Sequence, residues 1–279
     1  MTTTLRPEHP EEPTPDGGRT RRWQICVNGR PVGGLRTTAQ RYGEQWWGEI
    51  SELAVSEGHR RGRATVGALA AEEVLRGWGC TRVDVSVPGG AEPALRLAEM
   101  LGYTERMRNM AKPLAHPPQL APGLTARPIE GEAYRAWRSV AVADYAAELR
   151  KSGLTADQAR AKADADDARF LPQGADTPHM AMRELSDPAG APVGTLWVAL
   201  HQEARPQGGW LAWVMTVDVD PAQRGRGYGR ALLQLAEREC LAAGVHELGL
   251  NVFSDNAVAI NLYESLGYAI TRRILGKAL

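Results

Sequence analysis

The chain has 279 residues, 43% of them hydrophobic, enough for one sizeable core or two modest ones. Its 33 basic and 33 acidic residues cancel, so no global positive field argues for a nucleic-acid partner. No run approaches the about 18 apolar residues of a membrane span, and the start lacks an apolar signal core, so we expect no membrane partner and a cytoplasmic location.

In chain order, residues 1–20 are rich in Thr, Pro and Glu with almost nothing to bury, which predicts a disordered tail. Trp23 to Val27, Asn28-Gly29 and Pro31 to Arg36 read as a hairpin, because Asn-Gly favours a type I′ turn. A strand is expected over Trp46 to Val55 and a short basic loop over 58–63. Helical periodicity then runs from Thr65 to Arg76 and stops at Gly77 and Gly79. Arg82 to Val87 alternates as a strand, and Pro93 to Leu101 reads as a helix ended by Gly102. Residues 113–123 carry Pro113, Pro117, Pro118 and Pro122 and predict a linker. This divides the chain into a first domain at 21–112 and a second at 124–279.

The second domain opens with a strand, Leu124 to Pro128, and two helices, about Glu130 to Ser152 and Thr155 to Phe170, the latter with Thr155 as N-cap. Met180 to Arg183 and Val193 to Leu200 form a hairpin. An apolar, β-branched run from Trp210 to Val219 stops at Pro221, and a glycine-punctuated basic loop leads into a helix over Gly229 to Ala243. A strand (His246 to Phe253), a helix (Ala257 to Leu266) and a last strand from Tyr268 complete it.

The loop Arg224-Gly225-Arg226-Gly227-Tyr228-Gly229-Arg230 carries the chemistry. Its glycines let backbone approach a ligand closely. The first helical turn offers free N–H groups and the positive end of the helix dipole, so a diphosphate is the natural occupant. A lone Gly-x-Gly would be an ordinary turn; here strand and helix flank it. The spacing is neither a Walker loop nor a dinucleotide fingerprint. Cys26, Cys80 and Cys240 are odd in number and in no metal spacing, which predicts three reduced thiols, and the six histidines are scattered, so no metal is expected.

The halves also repeat. Gly62 and Gly227, Gly79 and Gly244, Leu97 and Leu262, and Tyr103 and Tyr268 are each separated by 165 positions. With that register, Arg224, Gly227 and Gly229, followed by Asn256, Ile260, Leu262, Tyr263, Gly267 and Tyr268, resemble the two signature segments of the GNAT superfamily of acyl-coenzyme A dependent N-acyltransferases. The resemblance covers Leu124 to Leu279 well and Trp23 to Lys112 more weakly. It implies an α/β (α+β) fold of two tandem units, each a mostly antiparallel central sheet flanked by helices.

The resemblance further implies acetyl-coenzyme A as co-substrate, with its diphosphate over the loop from Arg224 to Arg230 and its pantetheine arm along the strand at Val217 and Val219. It makes Tyr263 the general acid for the departing thiolate, and gives Asn256 a cofactor contact beside its capping role. The first copy departs from this pattern: His59 stands at the Arg224 position, Ala64 at Gly229, Ala91 at Asn256 and Ala98 at Tyr263. It also lacks a counterpart of Leu124 to Phe170, so a degenerate first half is expected. The leading function is transfer of an acetyl group to a primary amine of a small molecule. A protein N-terminal or lysine acetyltransferase and a non-catalytic acyl-coenzyme A binding module are the alternatives, and a homodimer stays open.

The general base is open as well. Trp213 occupies the place where some family members carry a glutamate, leaving Asp218, Asp220, His179, Glu184, His201 or a water chain. Tyr145, Glu148, Asp164, Asp166, Asp167 and Phe170 would line an acceptor groove, although such charges on a helix are more often a solvated face. Trp210 and Trp213 either line that groove or fill the core.

Overall fold

A computed structural model of the chain describes residues 2–42, 44–56, 62–151 and 154–279. His59 and most of the basic loop expected at 58–63 lie outside the described residues. The stretch expected to be a disordered tail carries two strands, β1 (Thr3–Pro7) and β2 (Glu12–Pro13), both antiparallel to β3 (Arg19–Val27). An edge strand needs a partner backbone more than apolar side chains, and Leu5 packs on the core from β1.

Two compact units divide the chain. The first holds the residues up to Arg108 together with Phe253–Asp255 and Thr271–Leu279; the second holds Asn109–Val252 and Asn256–Ile270. In the first unit, Asn28 and Gly29 both take positive φ (49° and 80°), the type I′ geometry that joins β3 to β4 (Arg30–Tyr42). β4 pairs antiparallel with β5 (Gln45–Val55), and β5 pairs in parallel with β6 (Cys80–Pro88) across α1 (Arg63–Gly77). Helix α2 (Glu92–Met100) and β7 (Thr104–Pro113) follow.

The last strand of the chain, β13 (Ala269–Ala278), completes this first sheet. It pairs antiparallel with β6 from Arg272↔Pro88 to Ala278↔Arg82, and Leu275 is fully buried in the first core. That corrects the expected boundaries: residues 271–279 belong with the first half. β1 also supplies the first strand that the first copy was expected to lack, so among the described residues only the two helices have no counterpart.

The second unit begins inside β7, whose Met110 is fully buried in the second core. The expected linker is packed there as well. Leu114 is buried, its N–H donates to the His246 carbonyl at 2.8 Å, and Leu120 packs on the core. β8 (Thr125–Pro128), α3 (Gly131–Lys151) and α4 (Ala156–Phe170) come next; Thr155 and Gln158 form a capping box at α4. β9 (Met180–Ser186), β10 (Pro192–Ala204) and β11 (Trp210–Val219) form an antiparallel meander. Helix α5 (Tyr228–Ala242) leads to β12 (Glu247–Phe253), and α6 (Ala257–Ser265) precedes β13.

The sheet order here is β7-β12-β11-β10-β9-β8. Alternation along β10 sorts its two faces: Leu196 and Val198 enter the core under α5, while Trp197 joins Tyr134, Leu171 and Met182 under α3 and α4. All three cysteines are free and buried, and burial pushes the Cys80 thiol up to about 11 and Cys240 up to about 12. Among the described residues no helix is long and apolar enough to cross a membrane.

Candidate active site

β11 and β12 run parallel, but their pairing is confined to Ala212↔Leu248 and Trp213↔Gly249. Gly249 permits that last rung, since a β-carbon there would stand 2.5 Å from the Trp213 ring. On its other side β11 pairs with β10, where Trp197 opposes Thr216 and Val198 opposes Val214. Met215 is therefore an extra residue, bulged out of the ladder. A bulge sharpens local twist and bends its strand, here where β11 parts from β12. From Val214 to Val219 β11 has no pairing with β12 among the described residues, which leaves its β12-facing backbone edge outside that ladder. Val217 and Val219 anchor this edge by packing partly into the core.

That edge leads down to the loop. Asp220 accepts a bond from the Ala222 N–H at 2.8 Å and starts a single 3-10 turn, Pro221–Gln223. The Arg224 Nε–H donates to the Val219 carbonyl at 3.2 Å. Gly225 and Gly227 have φ of 78° and 86°, and Gly227 is the left-handed N-cap of α5. A β-carbon on Gly227 would meet nothing within 4 Å, so conformation rather than crowding demands glycine there, and the space beside it is open. Tyr228, Gly229 and Arg230 begin the helix, where N–H groups have no intrahelical acceptor. Gly229 has a different reason: its missing β-carbon would lie 3.3 Å from Leu262, so α5 and α6 approach closely. Arg226 is exposed, and Arg230 donates to the Ser265 hydroxyl at 2.7 Å.

Asn256 caps α6, its Oδ1 accepting from the Ala259 N–H at 3.1 Å. One face of α6 carries Tyr263, which is 8% exposed in the second core with its ring 6.2 Å from that of Tyr268. Burial raises the Tyr263 phenol above its ordinary pKa, so it holds its proton at neutral pH. Its hydroxyl has no protein partner among the described residues.

The opposite face of the sheet lies under α3 and α4. Trp137 meets Trp197 edge-on at 5.8 Å, and Phe170 meets it at 6.4 Å. The register sets Asp218 opposite Thr195, on the face that carries Trp197. Partial loss of water contact pushes the Asp218 carboxyl above the usual range; Arg224 opposes this, and Asp144 of α3 adds to it. The Thr216 hydroxyl is buried without a partner among the described residues. Neither the Met215 bulge nor the orphaned Thr216 carries a signal in the sequence, because each depends on how two strands register.

Other candidates are engaged elsewhere. Asp164 binds Arg160 on the exposed side of α4, whereas Asp166, which binds Lys162 and Tyr145, and Asp167, which binds Arg138 of α3, are largely shielded from water. Glu184 binds Arg127 across β8 and β9. His179 and His201 stack on each other at 3.8 Å, and His201 stacks on Trp210 at 4.7 Å. His201 stands on β10 between the rungs Ala199↔Trp213 and Glu203↔Leu211, roughly 10 Å along the strand from Met215. Among the described residues no three metal-ligating side chains converge.

The Acetyltransferase (GNAT) family model matches residues 3–103 and 143–268. The chain belongs to that family and carries its fold twice in tandem. It is 31% identical over 234 residues to a mycothiol acetyltransferase of Streptomyces avermitilis, covering 78% of this chain and 68% of the relative. Among solved structures it resembles a GCN5-related N-acetyltransferase from Sphaerobacter thermophilus (TM-score 0.59, 21% identity, 92% of this chain and 80% of that one). A tandem GNAT protein from the clavulanic acid biosynthesis pathway matches with TM-score 0.51 and 20% identity, over 95% of this chain and 85% of that one.

Proposed function

We propose that the second unit transfers an acetyl group from acetyl-coenzyme A directly to a primary amine of a small molecule. The observation that carries this is the backbone edge of β11 left unpaired with β12 beyond Trp213, which leads to the glycine-capped N-terminus of α5. The residues present fit the co-substrate. Open space beside Gly227 and the N–H groups from Arg224 to Arg230 suit a diphosphate, and Arg224 and Arg226 add charge. The unpaired edge at Val217 and Val219 would hold the pantetheine arm as an added strand. Asn256 keeps the start of α6 in register with that arm.

Coenzyme A supplies a thioester whose thiolate leaves as the amine attacks. Tyr263 donates the proton to that leaving sulfur, a role suited to a buried phenol with an unused hydroxyl. On the acceptor side, Asp218 with Asp144 nearby attracts a cationic amine, and Asp218 takes its proton directly or through water. The packed aromatic layer of Trp137, Trp197 and Phe170 on the Asp218 side of the sheet favours a compact acceptor over an extended peptide. Similarity to mycothiol acetyltransferases supports a small molecule in the same way.

The test is to incubate the full chain with acetyl-coenzyme A and a panel of small primary amines and lysine or N-terminal peptides, then identify products by mass spectrometry. An acetylated small amine is expected. Acetylated peptides alone would make this a protein acetyltransferase. Bound acetyl-coenzyme A with no acetylated product would make it a binding module.

A further inference from the structure

One side chain of the second unit is shared between the glycine-rich loop and the acceptor side. Arg224 opens the loop, yet its guanidinium is turned back along β11. Its Nε–H donates to the Val219 carbonyl at 3.2 Å, and its Nη2 lies 3.9 Å from Oδ1 of Asp218. Arg226, two residues on, is exposed and makes no ion pair or side-chain hydrogen bond among the described residues. Of the two loop arginines flanking Gly225, only Arg224 is engaged with the strand.

Asp218 depends on that one cation. Partial loss of water contact raises its carboxyl most, and Arg224 is the largest influence in the other direction, ahead of a backbone hydrogen bond at Val219. The remaining charges that act on it are both negative, Asp144 of α3 and Asp220 just past the strand, and both add to the rise. A guanidinium drawn onto a diphosphate must leave Asp218 or divide its charge with it. Either way the carboxylate is left facing Asp144 and Asp220 with less to offset them.

We propose that Arg224 couples the two halves of the site: the diphosphate competes with Asp218 for its guanidinium, so co-substrate binding uncovers the carboxylate that receives the cationic amine. This rests on the acetyl-coenzyme A reading given above and adds to it a link between the two ligands. Linkage makes the effect reciprocal, so loosening the hold of Asp218 on Arg224 strengthens diphosphate binding by the same factor. Removing the Asp218 charge therefore tightens the co-substrate. Both side chains are well exposed, 63% for Arg224 and 66% for Asp218, so solvent screens the pair. The expected change is about two- to fivefold, and it is largest at low salt.

The test is calorimetry at low ionic strength with coenzyme A, which carries the diphosphate and has no acetyl group to transfer. Wild type, Asp218→Asn, Arg224→Gln and the double variant form the cycle. Asp218→Asn should bind coenzyme A about two- to fivefold more tightly than the wild type, and in the Arg224→Gln background the same substitution should change little. Asp218→Ser, which removes the same charge without adding an amide, should match Asp218→Asn. Melting temperatures should stay at the wild-type value, since neither side chain is buried. A carboxylate that merely repels the anionic ligand gives equal tightening with and without Arg224, and that result overturns the coupling. Unchanged affinity in both Asp218 variants overturns it as well. A wild-type chain that binds no coenzyme A overturns the co-substrate reading and this one together, whereas binding without the coupling overturns this one alone.

Discussion

Gly227 shows how one residue can be legible in a sequence for a physical reason. Its left-handed φ and open surroundings follow from a strand that must turn at once into a helix, and glycine meets that need locally. A valine there would strain the backbone by about 1–3 kcal/mol and put a branched side chain into the open space. We expect Gly227→Val to lower acetyl-coenzyme A affinity by about 100-fold, the loss of one or two charge-assisted bonds, while the fold persists. Calorimetry beside a melting curve checks it; wild-type affinity would reduce the loop to an ordinary turn. Gly229 was legible as part of the motif but not in its role, which is to let Leu262 approach. Which of Asp218 and Asp220 shares the face of Trp197 was not legible, because it depends on the strand register that sets Asp218 opposite Thr195 and on the turn that occupies Asp220.

At the scale of elements, local periodicity was enough for the helices and the Asn28-Gly29 hairpin. The elements misread were those whose partners lie far along the chain. β1 has few apolar groups and acquires order from β3. β13 was assigned to the half that precedes it, yet its Leu275 and Lys277 serve the first unit. Lys277 binds Glu72 at 2.8 Å, and Lys112 of β7 binds Glu237 at 2.8 Å; both glutamates are buried. Removing one partner of a buried pair strands the other charge and costs about 3–5 kcal/mol, toward the lower value here because each lysine keeps some water. Lys277→Met should therefore destabilise the first unit, and Lys112→Met the second, each by about 3 kcal/mol in denaturant titrations. Wild-type midpoints in both variants would mean that the pairs are incidental.

Across the whole molecule these pairs belong to the repeat. Glu72, Tyr103 and Lys112 recur at 165 positions' distance as Glu237, Tyr268 and Lys277. The structure assembles them crosswise: Lys277 lies over the Tyr103 ring at 5.2 Å, and Lys112 over the Tyr268 ring at 5.7 Å. Each unit thus takes its lysine from the other half of the sequence, which is why a boundary drawn at the proline-rich segment could not match the units. The division of labour follows from what the copies no longer share. The second keeps the tyrosine, the asparagine and the two covering helices; the first has Ala98 and Ala91 at the positions of that tyrosine and asparagine.

The account rests on Tyr263 acting as a proton donor in that second unit. Its hydroxyl makes no hydrogen bond among the described residues, so Tyr263→Phe should leave the melting temperature and acetyl-coenzyme A affinity nearly unchanged. Positioned acid catalysis contributes about 10²–10⁴-fold. The most direct measurement is amine-dependent release of free thiol from acetyl-coenzyme A, at saturation, by the wild-type chain and by Tyr263→Phe. We predict turnover by the wild type and a fall in kcat of about 10²–10⁴ in the variant. Equal turnover in the two proteins would contradict the assignment and return Tyr263 to the core.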